Sequence, residues 1–319
     1  MPLPAQPSAQ SPRDPRNPAA RAGVIGLGPM GQALVTSLLA DGFPVCCHDI
    51  RPGAVEPMAA AGASTAPDPA TLARSSDFVI TFLPGPAEVA SVALDPEHGV
   101  LAGLAPGGLM IDMSTCGPGT AQLIGTAFDQ AGRRFVDCPV SRKAPAMTVL
   151  VGGPDGVLGD AANVVGHVSR TVVYCGFRGA GYATKLLNQH VKYAWYLASA
   201  EALVLARQLG LDPDVTATAI EQSSGGESGF TTAAKYFRGD VDGMRSHAPA
   251  TTIEKDMDLA ESMAAEAGVR SRTLDVTADF FTTIGTTKFR ELPYPQSCEF
   301  LTELRVARHD GQGKDTGNQ

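Results

Sequence analysis

The sequence predicts two domains joined by one long helix: an α/β domain on a doubly wound, mostly parallel sheet, then an all-α domain. Three observations predict this. Short apolar runs alternate with helical periods from Ala22 to Gly176; the stretch from Tyr182 to Leu209 contains neither Gly nor Pro; and only helical periods follow it. Strands alternating with helices imply right-handed crossovers and a parallel sheet, and 319 residues suffice for two domains of ordinary size.

Taken in order, AGVIGLG is an apolar strand running into glycines, MGQALVTSLLADG a helix, and FPVCCHD a second strand. The alternation continues through DFVITFLP, GLMIDMST, RRFVDCPV, AMTVLVGG and TVVYCG, each closed by Gly, Pro, Ser or Asp. In the long helix, Leu187, Val191, Ala194, Ala198, Ala202 and Leu205 recur at steps of three or four. A second set, Leu186, Tyr193, Leu197, Ala200 and Val204, makes it apolar on most sides, which predicts a central buried helix about 40 Å long. Helical periods follow at about 213–223, 229–238, 251–267 and 272–285. The expected layout is a disordered extension over 1–20, an α/β domain over 21–181, a helical domain over 182–310 and a disordered tail over 311–319.

A formal charge of −8 and the absence of a Lys/Arg-rich block argue against a nucleic-acid partner. No apolar run approaches the roughly 20 residues of a membrane span, and the first 20 residues lack the apolar stretch of a secretory signal. The six cysteines and six histidines show no metal spacing, so no metal is expected. The cysteines read as reduced thiols of a cytoplasmic protein.

Gly26, Gly28 and Gly31 form GxGxxG between a strand and a helix. The first permits a tight turn, the second lets a pyrophosphate approach the backbone, and the third lets helix pack on strand. Pro29 suits the first helical turn, where its missing N–H has no partner to lose. Asp49 ends the second strand, about 20 residues on, where a carboxylate accepts bonds from the ribose hydroxyls of NAD. Arg51 is a complication, since a guanidinium there can hold the 2′-phosphate of NADP. The candidate dinucleotide contacts are thus Gly26, Leu27, Gly28, Pro29, Met30, Gly31, Asp49, Ile50 and Arg51, with NAD expected ahead of NADP.

On the long helix Lys185, Asn188 and Lys192 fall at i, i+3 and i+7 and share a face. A Lys in the first turns of an apolar helix needs a role or a partner, although an exposed Lys often opens such a helix. In TTIEKDMDLA, Thr251 and Glu254 form a capping box, which places Lys255 near the helix start, where the dipole disfavours a cation, and Asp256 where it is favoured. In DCPVSRKAP, Arg142 and Lys143 follow an apolar run, either as a binding device or as surface charge.

These pieces resemble the β-hydroxyacid dehydrogenase family: VIGLGPMG (24–31), Leu83–Pro84, IDMST (111–115), DCPVS (137–141), GAGYATKLLNQ (179–189) and EKDMDLA (254–260), in family order. The resemblance implies a Rossmann domain, a long interdomain helix and a helical domain that dimerises, so a homodimer or homotetramer is expected. It implies Lys185 as the catalytic lysine, Asn188 as a substrate ligand, Ser141 as the opening of the substrate loop, and Leu83, Pro84, Thr115 and Lys255 as cofactor contacts. The implied reaction is hydride transfer between NAD(P) and a small anionic hydroxyacid, with Lys185 moving the proton. The site must lower its pKa from about 10.4 or work from a small neutral fraction, and Arg142 and Lys143 are the candidate cations for lowering it.

The chain departs from the family where PVS is followed by Arg142 and Lys143 in place of two glycines, which predicts a more positive site fit for a carboxylate or sulfonate. Asn188 stands where sugar-phosphate decarboxylating relatives carry His, which argues against that reaction, and Gln189 replaces a second Asn. Two other readings stay open: an imine reductase on the same scaffold, and a non-catalytic NAD-binding sensor.

Overall fold

The computed structural model describes residues 20–310 except 160, 209, 224–228, 241–246, 267 and 269. The disordered extension and tail expected at the two ends therefore lie outside the described residues, residue 20 apart. The chain divides into two compact units after Thr184.

The first unit runs β1 (Ala22–Ile25), α1 (Pro29–Ala40), β2 (Val45–His48), α2 (Pro52–Ala60), β3 (Ser64–Thr65), α3 (Pro69–Arg74), β4 (Phe78–Thr81), α4 (Pro86–Leu94), α5 (Val100–Gly103), β5 (Leu109–Asp112), α6 (Pro118–Gln130) and β6 (Arg134–Asp137). Its six strands are all parallel in the order β3-β2-β1-β4-β5-β6. Side chains alternate across the sheet: Val24, Ile80 and Ile111 feed one apolar core, and Ile25, Val79 and Met110 the other. Burial on both faces is why these strands read as unbroken apolar runs. Strand order reverses at β1 and β4, so the crevice for a ligand opens beyond their carboxyl ends.

Two features differ from the expected sheet. The run RRFVDCPV is not one strand: β6 stops at Asp137, the Cys138 N–H makes a last bond to Asp112 O at 2.7 Å, and Pro139 has no N–H to extend the ladder. The chain then enters a separate three-stranded sheet of β7 (Val140–Ser141), β8 (Met147–Val151) and β9 (Ser169–Tyr174), with α7 (Ala161–Val168) between the last two. β7 and β8 are antiparallel, so Arg142 and Lys143 occupy a hairpin turn and not the end of a parallel strand.

The long helix α8 (Ala180–Gln208) starts in the first unit and continues into the second. The second unit adds α9 (Pro213–Glu221), α10 (Gly229–Phe237), α11 (Ala250–Glu266), α12 (Arg272–Gly285) and α13 (Ser297–Asp310). Leu186, Tyr193, Tyr196, Leu197, Ala200 and Leu203 bury one face of α8 in a core shared with Ile253, Met257, Phe281 and Tyr294. The Tyr196 hydroxyl donates to the backbone carbonyl of Pro295 at 3.0 Å, which satisfies its polar end inside that core. Four of the other predicted apolar set are not buried: Leu187 is 56% and Val191 61% exposed, and Ala198 and Ala202 are exposed too. The helix is amphipathic with an open apolar stripe, where a helix buried on most sides was expected. Helix α11 begins at Ala250, so Thr251 lies inside it and no capping box starts it; the carbonyls of Leu292 and Arg290 take the N–H groups of Ala250 and Thr251 at 3.0 Å each.

Candidate active site

At the strand-order reversal, two of the three loop glycines, Gly26 and Gly31, have a steric reason. Gly26 has φ +90°, and a Cβ there would stand 2.0 Å from Phe82 O; a Cβ on Gly31 would stand 1.9 Å from Gly26 O. A Cβ on Gly28 would meet nothing within 4 Å, because this residue faces open space. Gly28 is the N-cap of α1 and offers no side chain to its free N–H groups, with Pro29 following. Leu27, Gly28, Pro29, Gln32, Arg51, Gly53 and Ala54 line a cleft of about 390 Å³. An uncapped helix N-terminus behind an open glycine fits a pyrophosphate group. Leu27 is buried, Met30 packs partly against the core, and Ile50 is 90% exposed.

Asp49 sits at the edge of this cleft with a side chain only 6% exposed. Oδ2 accepts from the Leu27 N–H at 2.7 Å and from Arg51 Nη2 at 3.0 Å; Oδ1 accepts from the Arg51 N–H at 2.8 Å and from Arg51 Nε at 3.0 Å. The Arg51 guanidinium, opposed by burial and aided by the two backbone donors, holds the carboxyl at about 2. Every lone pair is thus occupied, and a ribose hydroxyl binds Asp49 only if the Arg51 side chain, itself 64% exposed, swings away. Arg51 and Asp49 are one device, not two independent contacts.

Behind the crevice lies a polar cluster that the sequence reading passed over. Asp112 and Asp137 end adjacent strands as register partners, and both are fully buried. Asp112 accepts from the hydroxyls of Thr81, of Ser114 at 2.7 Å and of Tyr182 at 2.5 Å, while Ser114 Oγ accepts the Leu83 N–H at 2.8 Å. Asp137 accepts the N–H groups of Gly179 at 2.8 Å and Tyr182 at 3.0 Å, capping the start of α8. Burial raises both carboxyls against these donors, Asp137 to about 6. Leu83 and Thr115 are half-buried and Pro84 is exposed. The signal in the sequence was an Asp at the end of each of two consecutive apolar strands.

In the second unit, Lys185 is 7% exposed and Asp256 2%. Gln189 Nε2 donates to Asp256 Oδ2 at 2.7 Å, and Lys255 Nζ lies 2.9 Å from Oδ1. Asp256 is therefore the buried counter-charge of a lysine cluster and not a surface charge on a helix dipole. Lys192 Nζ stands over the rings of Tyr193 and Tyr294, 4.8 and 5.5 Å from their centroids. Burial, opposed by Asp256 and reinforced by Lys192 and Lys255, lowers Lys185 to about 8. The cations in that role are Lys192 and Lys255, where the sequence nominated Arg142 and Lys143. Asn188 is exposed and donates to Gln189 Oε1 at 3.4 Å. Gln189, which replaces a second Asn, bonds both Asp256 and Asn188.

The predicted substrate loop is a tight turn. Ser141 pairs with Thr148, the Ala146 N–H bonds Lys143 O at 2.9 Å, and Arg142 and Lys143 are exposed. Arg142 has φ +67°, and it is the only non-glycine residue with positive φ among those described. Among the described residues no cluster of His, Cys, Asp and Glu could hold a metal ion.

Two protein families match the chain: the NAD binding domain of 6-phosphogluconate dehydrogenase over residues 21–176, and the NAD-binding domain of NADP-dependent 3-hydroxyisobutyrate dehydrogenase over 179–291. NAD-dependent L-serine dehydrogenase of Pseudomonas aeruginosa is 31% identical over 80% of this chain and 85% of that protein. The chain belongs to the β-hydroxyacid dehydrogenase family. Another relative, the human mitochondrial 3-hydroxyisobutyrate dehydrogenase, is 34% identical over 64% of this chain, and the match spans 62% of its length, less than two thirds. Among solved structures, Mycobacterium tuberculosis 3-hydroxyisobutyrate dehydrogenase with L-serine has a TM-score of 0.80 at 26% identity, covering 88% of this chain and 99% of that one. The V8 variant of the imine reductase of Myxococcus stipitatus, at 17% identity and a TM-score of 0.60, shares the fold of this β-hydroxyacid dehydrogenase family member over 88% of this chain and 99% of that one.

Proposed function

We propose that the protein is an NAD(P)-dependent oxidoreductase that interconverts a small anionic β-hydroxyacid, or its sulfonate analogue, and the matching semialdehyde or ketone. The observation that carries this is Lys185: buried, lowered to about 8, and braced by the Asp256 cluster on a helix that follows a dinucleotide cleft. The bound nicotinamide supplies the hydride acceptor in oxidation and the donor in reduction. The loop from Gly26 to Gly31 with Asp49, Ile50 and Arg51 holds the adenosine and pyrophosphate end, and Leu83, Pro84, Thr115 and Lys255 the nicotinamide end. Neutral Lys185 Nζ takes the hydroxyl proton in oxidation, and its protonated form returns it to the alkoxide in reduction. Asn188 and Ser141 orient the substrate.

Arg142 is assigned to the substrate anion. A side chain at φ +67° costs about 1–2 kcal/mol relative to glycine, so a guanidinium kept there is consistent with a binding role. With 3-hydroxyisobutyrate, L-serine, sulfonate analogues and uncharged alcohols as a panel, wild type is expected to prefer the anions. Arg142→Gly is expected to raise stability by about 1 kcal/mol and to cut turnover of anionic substrates about tenfold more than of neutral ones. Equal losses on both classes would remove Arg142 from anion recognition.

NAD is the preferred cofactor in this reading, because the ionised Asp49 repels a 2′-phosphate. Asp49→Ser is expected to shift the ratio of kcat/KM for NADP over NAD upward by about tenfold or more, since it removes that repulsion and frees Arg51. An unchanged ratio would locate discrimination elsewhere.

The apolar stripe of Leu187 and Val191 is read as a face covered by a second copy, giving a homodimer or homotetramer; a monomeric mass by light scattering would exclude it. The six free thiols fit a cytoplasmic location, which cell fractionation tests. No described helix is long and apolar enough to cross a membrane.

A further inference from the structure

Tyr182 is held at both of its ends. Its backbone N–H donates to Asp137 Oδ2 at 3.0 Å, and its phenol donates to Asp112 Oδ2 at 2.5 Å. The ring is completely buried, and the residue stands three positions before Lys185 on the same helix. Asp137 also takes the Gly179 N–H, and it is closed in by glycine: a Cβ on Gly152 would lie 2.1 Å from Oδ1, and one on Gly181 2.9 Å from Oδ2. On the other side of the network, Asp112 Oδ1 takes the Thr81 and Ser114 hydroxyls, and Ser114 takes the N–H of Leu83.

With Asp112 as the carboxylate, the direction of each bond follows from the donor inventory. A hydroxyl has one proton, and those of Thr81, Ser114 and Tyr182 all go to Asp112, which therefore acts as the acceptor of three donors. An unbroken path results: Leu83 N–H to Ser114, Ser114 to Asp112, Tyr182 to Asp112, and the Tyr182 N–H to Asp137. Buried networks of this kind are rigid when every member is satisfied and loosen together when one is removed.

We infer that Tyr182 is a positioning residue, the bolt of a two-carboxylate clamp that ties the Leu83–Pro84 loop to the helical turn preceding Lys185. This rests on the reading of Lys185 as the proton-transfer group and of Leu83 as a cofactor contact. The competing view is that Tyr182 fills space with its ring and its hydroxyl is incidental.

Tyr182→Phe keeps the ring and the backbone bond to Asp137 and removes only the phenol's bond to Asp112, which opens the clamp on that side. The expected result is a folded enzyme with kcat down about tenfold and KM for the dinucleotide within about twofold of wild type, a split that loss of packing alone does not give. In the ligand-free protein, amide exchange at Leu83 and over residues 179–182 is expected to speed up about tenfold. Ser114→Ala breaks the same path from its other side and serves if Tyr182→Phe does not fold. Combined, the two changes are expected to cost little more than the worse one alone, because they act through one carboxylate. Wild-type exchange at Leu83 in either variant, or multiplicative losses in the double variant, would overturn the clamp. Lys185→Met separates the two ideas. If it retains turnover the catalytic reading fails while the exchange data still decide the clamp; if it abolishes turnover and Tyr182→Phe is silent, the clamp alone fails.

Discussion

Lys185→Met is expected to lower kcat by about 10² to 10⁴, the usual contribution of a positioned proton-transfer group. The pH profiles carry the sharper test. With Lys185 at about 8, oxidation, which uses the neutral amine, is expected to rise with pH until about 8 and then level off. Reduction, which uses the ammonium, is expected to be flat below that point and to fall above it. Both inflections should vanish in the variant. Stability has its own dependence on pH. The folded-state value lies below the unfolded one of about 10.4, so the unfolded chain binds the extra proton between about 8 and 10.4. Stability therefore rises with pH through that window, and burying the lysine is least favourable below it. Lys185→Met should melt higher than wild type at neutral pH, with a difference that shrinks in the alkaline range. Loss of turnover with gain of stability is the signature of a residue kept for function. Turnover within about tenfold of wild type would refute the assignment.

Much of the fold was legible because it is written locally. Strands buried on both faces leave apolar runs such as FVIT and LMID, and the glycine loop announces itself by spacing alone. What was not legible is non-local. Nothing in RRFVDCPV says that β6 hands over to a second sheet after Asp137; that depends on which strand lies beside Val140. Nor does GAGYATK disclose that Tyr182 reaches Asp112, seventy positions away. The open stripe of Leu187 and Val191 shows the limit of periodicity, which marks apolar faces without saying whether the chain itself covers them. At the site, Lys185 was visible as an oddly placed cation, whereas Asp256 looked like an ordinary helix charge. Its burial arises only when α11 brings it under Gln189, 67 positions distant in sequence.

That buried carboxylate governs how far Lys185 is lowered, and Asp256→Asn isolates its charge. Burial, Lys192 and Lys255 all push Lys185 down, and among its named influences Asp256 is the one that pushes up. Removing that charge while keeping the shape should move the inflection of both pH profiles from about 8 toward lower pH by about one unit or more, since an opposite charge at this range commonly shifts a pKa by 1–3. Below the inflection oxidation should gain, because more amine is neutral, and reduction should lose. Gln189 Nε2 can still donate to the amide oxygen, so the geometry survives better than in Asp256→Ala. The alanine variant breaks a buried pair outright, which typically costs about 3–5 kcal/mol. For the asparagine variant the stability loss should be largest below the new inflection, where Lys185 is charged without its counter-ion, and should diminish as pH rises through it and the ammonium is discharged. An inflection that stays at about 8, or moves up, would mean that Asp256 braces Lys255 and Gln189 without setting the proton affinity of Lys185.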